Sequence, residues 1–319
     1  MENLDLKDRK ILYELDYNSR QSFRSIGRKV GLSKDVVATR VKKLEDMGII
    51  RCYCAIVDEN KLGYNAYRFY FSFQNVTPQL KKEIINYFLN EKITDTVCSL
   101  EGSYDLLVVI LVKNFPEAQS FWHKTLKKYG KYFSKKVFSA YCQEDYYGYR
   151  FLLDEDDNKR SIIHRWYDNG TRVELDNLDN KIIELISRNT RLPTTEIAKM
   201  LNSTSTVIHN RLKKLIEKDI IIGYRINIDI PKLGYYIFKV NIELNQFDEV
   251  SKIIEYATSN PYLFEVDNTI GYVDLELCFV CKNSYELHKI IEDISNKFPN
   301  SIKNYTYFSD IKTHKAYGV

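Results

Sequence analysis

A chain of 319 residues is long enough for two or more domains, and 44% hydrophobic with 28% charged residues is the composition of an ordinary globular protein. No apolar run approaches the roughly 18 residues of a membrane span, and the polar N-terminus lacks a secretory signal, so we expect a cytoplasmic protein without a membrane partner. The net charge of +4 divides into +7 for residues 1–150 and −3 for the rest, which permits nucleic-acid binding without predicting it.

The first fifty residues follow a helical pattern. Apolar residues recur at three- and four-residue spacing from Leu6 to Leu15, which predicts a helix with one buried face. A second helix is expected over Ser22–Val30. Gly31 can end it in a left-handed conformation, and Ser33 can cap a third helix that Gly48 closes. Three short helices with a glycine turn before the third predict a winged-type helix-turn-helix domain.

The next hundred residues alternate strands and helices. IIRCYCAIVD reads as a hinge strand, and after it comes the order β-α-β-β-α-β, with helices over Pro78–Leu89 and Pro116–Tyr129. This order predicts a ferredoxin-like domain and therefore an α+β fold. One face of its four-stranded sheet would lack helices. Pairing with a second sheet, within one chain or between chains, would cover that face.

The segment FLLDEDDNKRSIIHRWYDNGTRVE, residues 151–174, reads as a connector. The acidic run Asp154–Asp157 and the Asp168-Asn169-Gly170 turn mark it as such. Trp166 and Ile162–Ile163 indicate that part of it packs onto a domain, so we expect two ordered docking elements joined by turns.

The chain is a duplication. LDLKDRKILYEL at Leu4 recurs as LDNLDNKIIELI at Leu175, and the shift of 171 residues continues without a gap for some sixty positions. Later segments repeat the β-α-β-β-α-β order. The predicted divisions are 1–60, helix-turn-helix domain 1 with its hinge strand; 61–150, ferredoxin-like domain 1; 151–174, connector; 175–231, helix-turn-helix domain 2 with its hinge strand; 232–319, ferredoxin-like domain 2.

The third helix of each copy carries a polar face, because a turn of 100° per residue places its charged and hydroxyl side chains away from the apolar face. Small or hydrogen-bonding groups near the start of such a helix can reach base edges, and lysines further along can meet phosphates. The candidate DNA-binding residues are Ser22, Arg24, Ser33, Lys34, Asp35, Thr39, Arg40, Lys42 and Lys43 in copy one, and Ser205, Thr206, His209, Asn210, Arg211, Lys213 and Lys214 in copy two. The alternative is a solvated charged face, with Arg40 and Arg211 paired internally.

Six cysteines include two close pairs, Cys52 with Cys54 and Cys278 with Cys281. No second pair of cysteines or histidines accompanies either one at the spacing of a zinc site. Both pairs lie in apolar, strand-like runs, where cysteine packs as a small hydrophobic side chain. We therefore favour burial over a disulfide or metal, and we expect no metal and no cofactor.

The sequence resembles the Lrp/AsnC (feast/famine) transcription regulators. The resemblance is carried by LDxxDxKIL at the start, GLSxxxVxxRVKKLEDMGII, the hinge strand ending in LGY, and the EGSYDLLVVI hairpin. It covers nearly the whole chain except the connector. Copy two departs from the pattern, because Asp219 stands at the position of Gly48 and LNSTS replaces the GLS turn.

The resemblance implies a sequence-specific DNA-binding regulator of double-stranded DNA that forms homo-oligomers. Regulators of this family often bind a small effector, such as an amino acid, near the GxxD hairpin. Residue by residue, that implies an effector site at Gly102, Tyr104 and Asp105, and at Gly271, Tyr272 and Asp274. For the two glycines the alternative is a tight turn that requires glycine.

Family members normally carry one copy, so the duplication implies a pseudo-dimer with two unlike heads within one chain. Such a chain would suit an asymmetric DNA site, because Thr39 and Asn210 present different groups at equivalent positions.

Two other functions compete with DNA binding. Siroheme decarboxylases resemble the same architecture, can be fused in pairs, and hold a tetrapyrrole through His and Arg residues. The chain has five histidines, none of them in the strand TDTVCSLEG, which corresponds to that family's His-Cys-Tyr-Arg cluster. We therefore expect that the chain is not an enzyme. The other alternative is a sensing protein whose heads serve only for oligomerisation.

Overall fold

The chain folds into two compact units, and each unit takes one segment from each copy. The computed structural model describes residues 4–153, 163–167 and 169–316. Unit 1 contains the chain up to Leu62 together with Asp145–Tyr235, and unit 2 contains Gly63–Glu144 together with the chain from Tyr236 to its last described residues. The acidic run 154–157, Ile162 and Asp168 of the predicted connector lie outside the described residues.

Apart from the short strand His164–Tyr167, which the sequence does not predict, the helices and strands of the described chain follow one another in the predicted order. The helices are α1 Leu6–Tyr17, α2 Phe23–Val30, α3 Lys34–Asp46, α4 Pro78–Asn90, α5 Phe115–Tyr129, α6 Asn177–Arg188, α7 Thr194–Met200, α8 Ser205–Glu217, α9 Val250–Thr258 and α10 Ser284–Lys297. The strands are β1 Ile50–Val57, β2 Asn65–Phe73, β3 Thr94–Gly102, β4 Leu106–Val112, β5 Phe133–Tyr146, β6 His164–Tyr167, β7 Ile221–Ile228, β8 Tyr236–Leu244, β9 Leu263–Ile270, β10 Leu275–Cys281 and β11 Ile302–Lys315. The mixed α and β class with helix-turn-helix elements is confirmed.

The three-helix heads of unit 1 follow from caps and buried stripes. Ser33 caps α3 by accepting from the Val36 amide at 3.3 Å, and Gly31 ends α2 at a φ of +68°, in the left-handed region. Leu6, where the predicted buried face begins, is exposed. The later apolar side chains of the 3.6-residue period are buried, and they are Ile11, Leu12, Leu15, Ile26, Val37, Val41 and Leu44. The turn before α8 lacks a glycine, and Asn202 instead adopts a φ of +51° there.

An approximate two-fold axis relates the two heads inside unit 1. Strands β1 and β7 pair antiparallel, and Cys54 pairs with Arg225, its own equivalent under the shift of 171. The hydroxyls of Ser19 and Thr190, also equivalent, lie 2.7 Å apart. Reciprocal hydrogen bonds flank them, from Arg20 to the Thr190 carbonyl at 2.5 Å and from Arg191 to the Ser19 carbonyl at 2.8 Å.

The segment after Asp145 breaks this symmetry within unit 1. The Tyr146 hydroxyl and the Tyr149 amide donate to the buried carboxylate of Asp16, at 2.9 and 3.0 Å, and the Arg225 guanidinium lies over the Tyr146 ring. Further along, the Trp166 indole donates to Glu59 at 3.1 Å. The position equivalent to Asp16 under the shift of 171 is Ser187, which has no carboxylate to accept such bonds.

Unit 2 contains eight strands that close on themselves. Their order is β2, β4, β3, β11, β8, β10, β9 and β5, and β5 pairs again with β2. Each copy therefore contributes four neighbouring strands in the order fourth, first, third, second. The two sets join edge to edge through β3 with β11 and through β9 with β5. The two sheets predicted to pair thus join within one chain, and their faces without helices line the interior of the closed strands.

Helices α4 and α5 cover the outer face of copy one's four strands, β2 to β5. An aromatic core lies between them, in which Phe69, Phe71, Phe88 and Phe121 pack together. Of the cysteines, Cys54, Cys98, Cys278 and Cys281 are buried and Cys52 and Cys142 are half-buried, and no disulfide joins any of these six.

Within the described residues, no helix is both long enough and apolar enough to cross a membrane.

Candidate nucleic-acid interface and interior polar cluster

Helix α3 exposes the polar face that the sequence predicts. Asp35, Thr39, Lys42 and Lys43 are exposed, because the apolar stripe on the opposite side of α3 is buried against α1 and α2. Lys42 makes one ion pair on its own helix, with Asp46 at 3.4 Å, and both side chains are largely solvated. A pair of this kind contributes little, so the ammonium remains available to an anion.

Helix α8 presents an equivalent face with different chemistry. Thr206, His209, Asn210 and Lys214 are exposed, and Lys213 pairs loosely with Glu217 at 3.6 Å.

Five other candidates lie around these faces. Ser22 and Ser33 use their hydroxyl oxygens to cap α2 and α3, while Arg24 and Lys34 are exposed at the start of the same helices. In copy two Ser205 is half-buried at the first position of α8, and Thr204 is the cap.

Arg40 and Arg211 are engaged within their own heads. The Arg40 guanidinium contacts Asp5 at 2.7 Å and Asp8 at 2.8 Å, and Arg211 contacts Asp176 and Asp179 in the same way. The amide of Asp8 and the Arg40 guanidinium hold the pKa of Asp5 below its usual range. This fork clamps the third helix of each head onto the start of the first.

The two hairpins at which the resemblance places an effector meet inside unit 2. The Tyr104 hydroxyl donates to the Tyr272 hydroxyl at 2.7 Å, and Tyr104 stacks on Tyr70 with ring centroids 4.9 Å apart. Burial raises the pKa of Tyr104 well above its usual range. The carboxylates of Asp105 and Asp274 each accept a backbone amide at 2.7 Å and so fix the hairpins.

Gly102 and Gly271 occupy tight turns. Their φ angles are +119° and +107°, which L side chains rarely adopt. A Cβ at Gly102 would lie 2.8 Å from the Tyr307 carbonyl oxygen. Backbone geometry alone therefore requires these glycines.

A cluster of charged side chains fills the inner face of the closed strands, and sequence reasoning missed it. Arg68 is fully buried and contacts Asp267 at 2.9 Å, the Tyr141 hydroxyl at 2.9 Å, and Glu276. Such a buried ion pair is stable only when its remaining hydrogen-bonding groups also find partners. The Arg68 Nε finds one by donating to the Ser139 hydroxyl at 3.3 Å.

Lys239 completes this cluster. Its ammonium lies 2.5 Å from Asp267 and 3.3 Å from Glu265. Carboxylate oxygens of Glu144, Glu265 and Asp267 lie within 4.8 Å of one another, which is close enough to hold a cation, but the Lys239 ammonium already bonds two of them. Burial, followed by the neighbouring Asp267, raises the pKa of Glu265 to about 7.

A pattern in the sequence could have located the cluster. Charged residues stand at alternate positions in otherwise apolar strands, as in LFEVDNTI and IFKVNIEL. Alternation in a strand places such residues on one face, so a charged inner face was predictable. The partners were not, because Arg68 and Asp267 are far apart in the chain.

The comparison with known proteins agrees with the heads. Residues 4–51 match the winged helix-turn-helix DNA-binding family, and residues 175–216 match the AsnC-type helix-turn-helix domain. The HTH-type transcriptional regulator FL11 of Pyrococcus horikoshii is 32% identical over 45% of this chain and 94% of its own length. The HTH-type transcriptional regulator LrpB of Bacillus subtilis is 30% identical over 40% of this chain and 85% of its own length.

A solved structure that spans both copies is that of the siroheme decarboxylase NirDL with an iron-uroporphyrin III analogue. It has a TM-score of 0.63 and 14% identity over 98% of this chain and 92% of that chain. At this identity the likeness shows the fold alone. It makes the expectation that the chain is not an enzyme wrong, because the same two-copy architecture supports an enzyme. One strand without histidine was too narrow a basis for that exclusion.

Both helix-turn-helix segments match known DNA-binding families, and single-copy regulators align with less than half of the chain over most of their own length. The chain belongs to the Lrp/AsnC family of transcription regulators, with the helix-turn-helix duplicated.

Proposed function

We propose that the protein is a sequence-specific transcription regulator that inserts α3 and α8 into the major groove of double-stranded DNA. The observation that carries this proposal is an exposed polar face on a capped, well-anchored third helix, present twice in one unit. Asp35, Thr39, His209 and Asn210 lie near the start of these helices, where side chains reach base edges. The lysines further along, Lys42 and Lys43 on α3 and Lys213 and Lys214 on α8, lie where side chains meet phosphates. Its place of action is then the cytoplasm, where the DNA is.

The phosphate contacts are tested by the double variant Lys42→Ala/Lys43→Ala. Each lost phosphate contact should lower the slope of log Kobs against log salt by about 0.9, so the slope should fall by about 2 while binding weakens on all sequences. Fluorescence anisotropy with a promoter fragment at several salt concentrations measures this. Lys127→Ala/Lys128→Ala on α5 in unit 2 removes the same charge and is the matched control. An unchanged slope in the first variant would show that α3 does not contact DNA.

We propose that each copy's βαββαβ segment is a ferredoxin-like sensing and oligomerisation domain, with the divisions predicted at 61–150 and 232–319. The fourth-first-third-second strand order supports this assignment. The effector is a small molecule such as an amino acid, bound at Gly102, Tyr104, Asp105, Gly271, Tyr272 and Asp274. Since both aspartates are committed to backbone amides, the paired tyrosine hydroxyls supply the recognition.

The effector site is tested by thermal shift with a panel of amino acids. One of them should raise the melting temperature of the wild type, and Tyr272→Phe should abolish that shift because it removes one hydroxyl of the pair. Tyr285→Phe, at an exposed residue of α10, is the control. A panel without any shift would count against amino-acid sensing and leave DNA binding unaffected.

A second candidate is an enzyme that acts on a tetrapyrrole, favoured by the full-length likeness to a siroheme decarboxylase. The interior cluster offers buried cations, Arg68 and Lys239, but both are already paired with carboxylates. Titration with an iron uroporphyrin tests this candidate. A shifted Soret band and loss of CO₂ from the tetrapyrrole would establish it, and unchanged spectra would reject it.

A further inference from the structure

The two heads present different chemistry on faces that are otherwise built alike. Both third helices are capped by a hydroxyl side chain, Ser33 or Thr204, and both are clamped by an arginine fork onto the first helix. Both also carry two lysines one turn further along. The exposed or half-exposed positions that differ include Asp35 against Thr206, Ala38 against His209, and Thr39 against Asn210. The meaning of these differences for base recognition rests on the proposed DNA-binding function.

The face of α3 offers methyl groups and one carboxylate. The Thr39 hydroxyl donates to the Asp35 carbonyl at 3.0 Å, which uses its proton within the helix and leaves its methyl group outward. Ala38 adds a second methyl group. Apolar groups of this kind contact the C5-methyl of thymine, and a carboxylate such as Asp35 accepts from the N4 amino group of cytosine. Head 1 therefore suits pyrimidines on the strand that it contacts.

The face of α8 offers hydrogen-bonding groups instead. Asn210 is exposed and can bond the N6 and N7 atoms of adenine together, which is the recognition that an amide side chain provides. His209, one residue earlier, carries a ring nitrogen that can donate to a purine N7. Head 2 therefore suits purines, adenine above all, at the equivalent place.

We propose that the protein reads an operator without two-fold symmetry. A palindrome presents the same base to equivalent positions of two heads. Here Thr39 and Asn210 occupy equivalent positions, but Thr39 favours a pyrimidine and Asn210 favours an adenine. Because both heads belong to one unit, their order along the DNA is set by the chain, and the operator has a direction.

Selection of binding sequences from a randomised duplex library tests this, with the purified full-length protein. The enriched sites should contain two unlike half-sites, one with adenine at a position where the other has thymine or cytosine. Asn210→Thr should lower the preference for that adenine by about 5- to 150-fold and leave the other half-site unchanged. The triple variant Asp35→Thr/Ala38→His/Thr39→Asn makes these three positions of the two faces alike and should move the selected site toward a palindrome.

Lys42→Ala is the control, since it should weaken all sites equally without altering the preferred sequence. Because every substituted side chain is wholly or partly exposed, circular dichroism melting should show that each variant remains folded. A palindromic site selected by the wild type would overturn the inference and leave DNA binding in place. Recovery of no preferred sequence, with no salt-dependent binding, would overturn both.

Discussion

At the scale of single residues, the charges inside unit 2 set how the fold responds to pH. The half-buried Glu265 lies beside Asp267 and Lys239, and burial raises the pKa of its carboxyl to about 7 from an ordinary value of 4.5. The folded protein holds this proton more tightly than the unfolded chain does. The contribution of this protonated carboxyl to the free energy of unfolding is therefore fully present below pH 4.5 and is lost as the pH rises through about 7.

Glu265→Gln should flatten the pH dependence of stability, because the amide stays neutral throughout. At 1.36 kcal/mol per pKa unit, the wild type should lose up to about 3 kcal/mol more than the variant between these two pH values. Urea unfolding at a series of pH values measures the difference. Glu292→Gln, at an exposed residue of α10, controls for the loss of a carboxylate. Parallel curves for wild type and Glu265→Gln would contradict this assignment of the proton.

At the scale of elements, β6 lies against β7 in unit 1 with almost no space between them. A Cβ added at Gly223 would lie 1.9 Å from the His164 ring, and that ring is buried. Burial lowers the pKa of His164 to about 4, so the ring is neutral near pH 7. Glycine at this position permits the approach of the segment that breaks the two-fold symmetry.

Gly223→Ala should destabilise unit 1 by about 1–3 kcal/mol, as overpacking of a buried contact does. His164→Ala should recover most of that loss in the double variant, although alone it leaves a cavity. A double-mutant cycle measured by thermal unfolding gives the coupling between the two residues. Additive effects would show that the ring is not in contact with this glycine.

How much could be predicted also differs between kinds of element. Helix α3 lies where its cap Ser33 and its apolar period indicate, because caps and periods are local signals. The pairing of β1 with β7 and the edge contacts of β3 with β11 are not local. A strand pattern shows which side chains share a face, but it carries no information about the partner strand. The site divides in the same way: the exposed lysines follow from one helix, whereas the Arg68 ion pairs required the closed strands.

At the scale of the whole molecule, neither copy is a complete structural unit. Each unit is assembled from one segment of each copy, and the edges of β1, β3 and β5 are covered by strands of copy two. Strands with uncovered edges bind other strands.

Residues 1–150 expressed alone should therefore self-associate, with a second copy of itself supplying the missing edges. Light scattering coupled to size-exclusion chromatography should give twice the chain mass at micromolar concentration. The full-length chain at the same concentration shows whether association persists when those edges are already paired. A folded single-copy monomer would contradict the role given to these edges.

The pairing of Cys54 with Arg225 has a consequence for how such proteins can change over generations. In a homodimer, the residue on the symmetry axis meets an identical residue of the other subunit, so a cation there would face a second cation across the strand pair. Once both halves lie in one chain, each has its own codon at this position, so a mutation changes one side only. Arg225 could then be accommodated opposite a small neutral thiol, with Asp16 as a counter-charge. Joining two subunits into one chain therefore permits charged residues at positions on the axis where exact symmetry would place two like charges together.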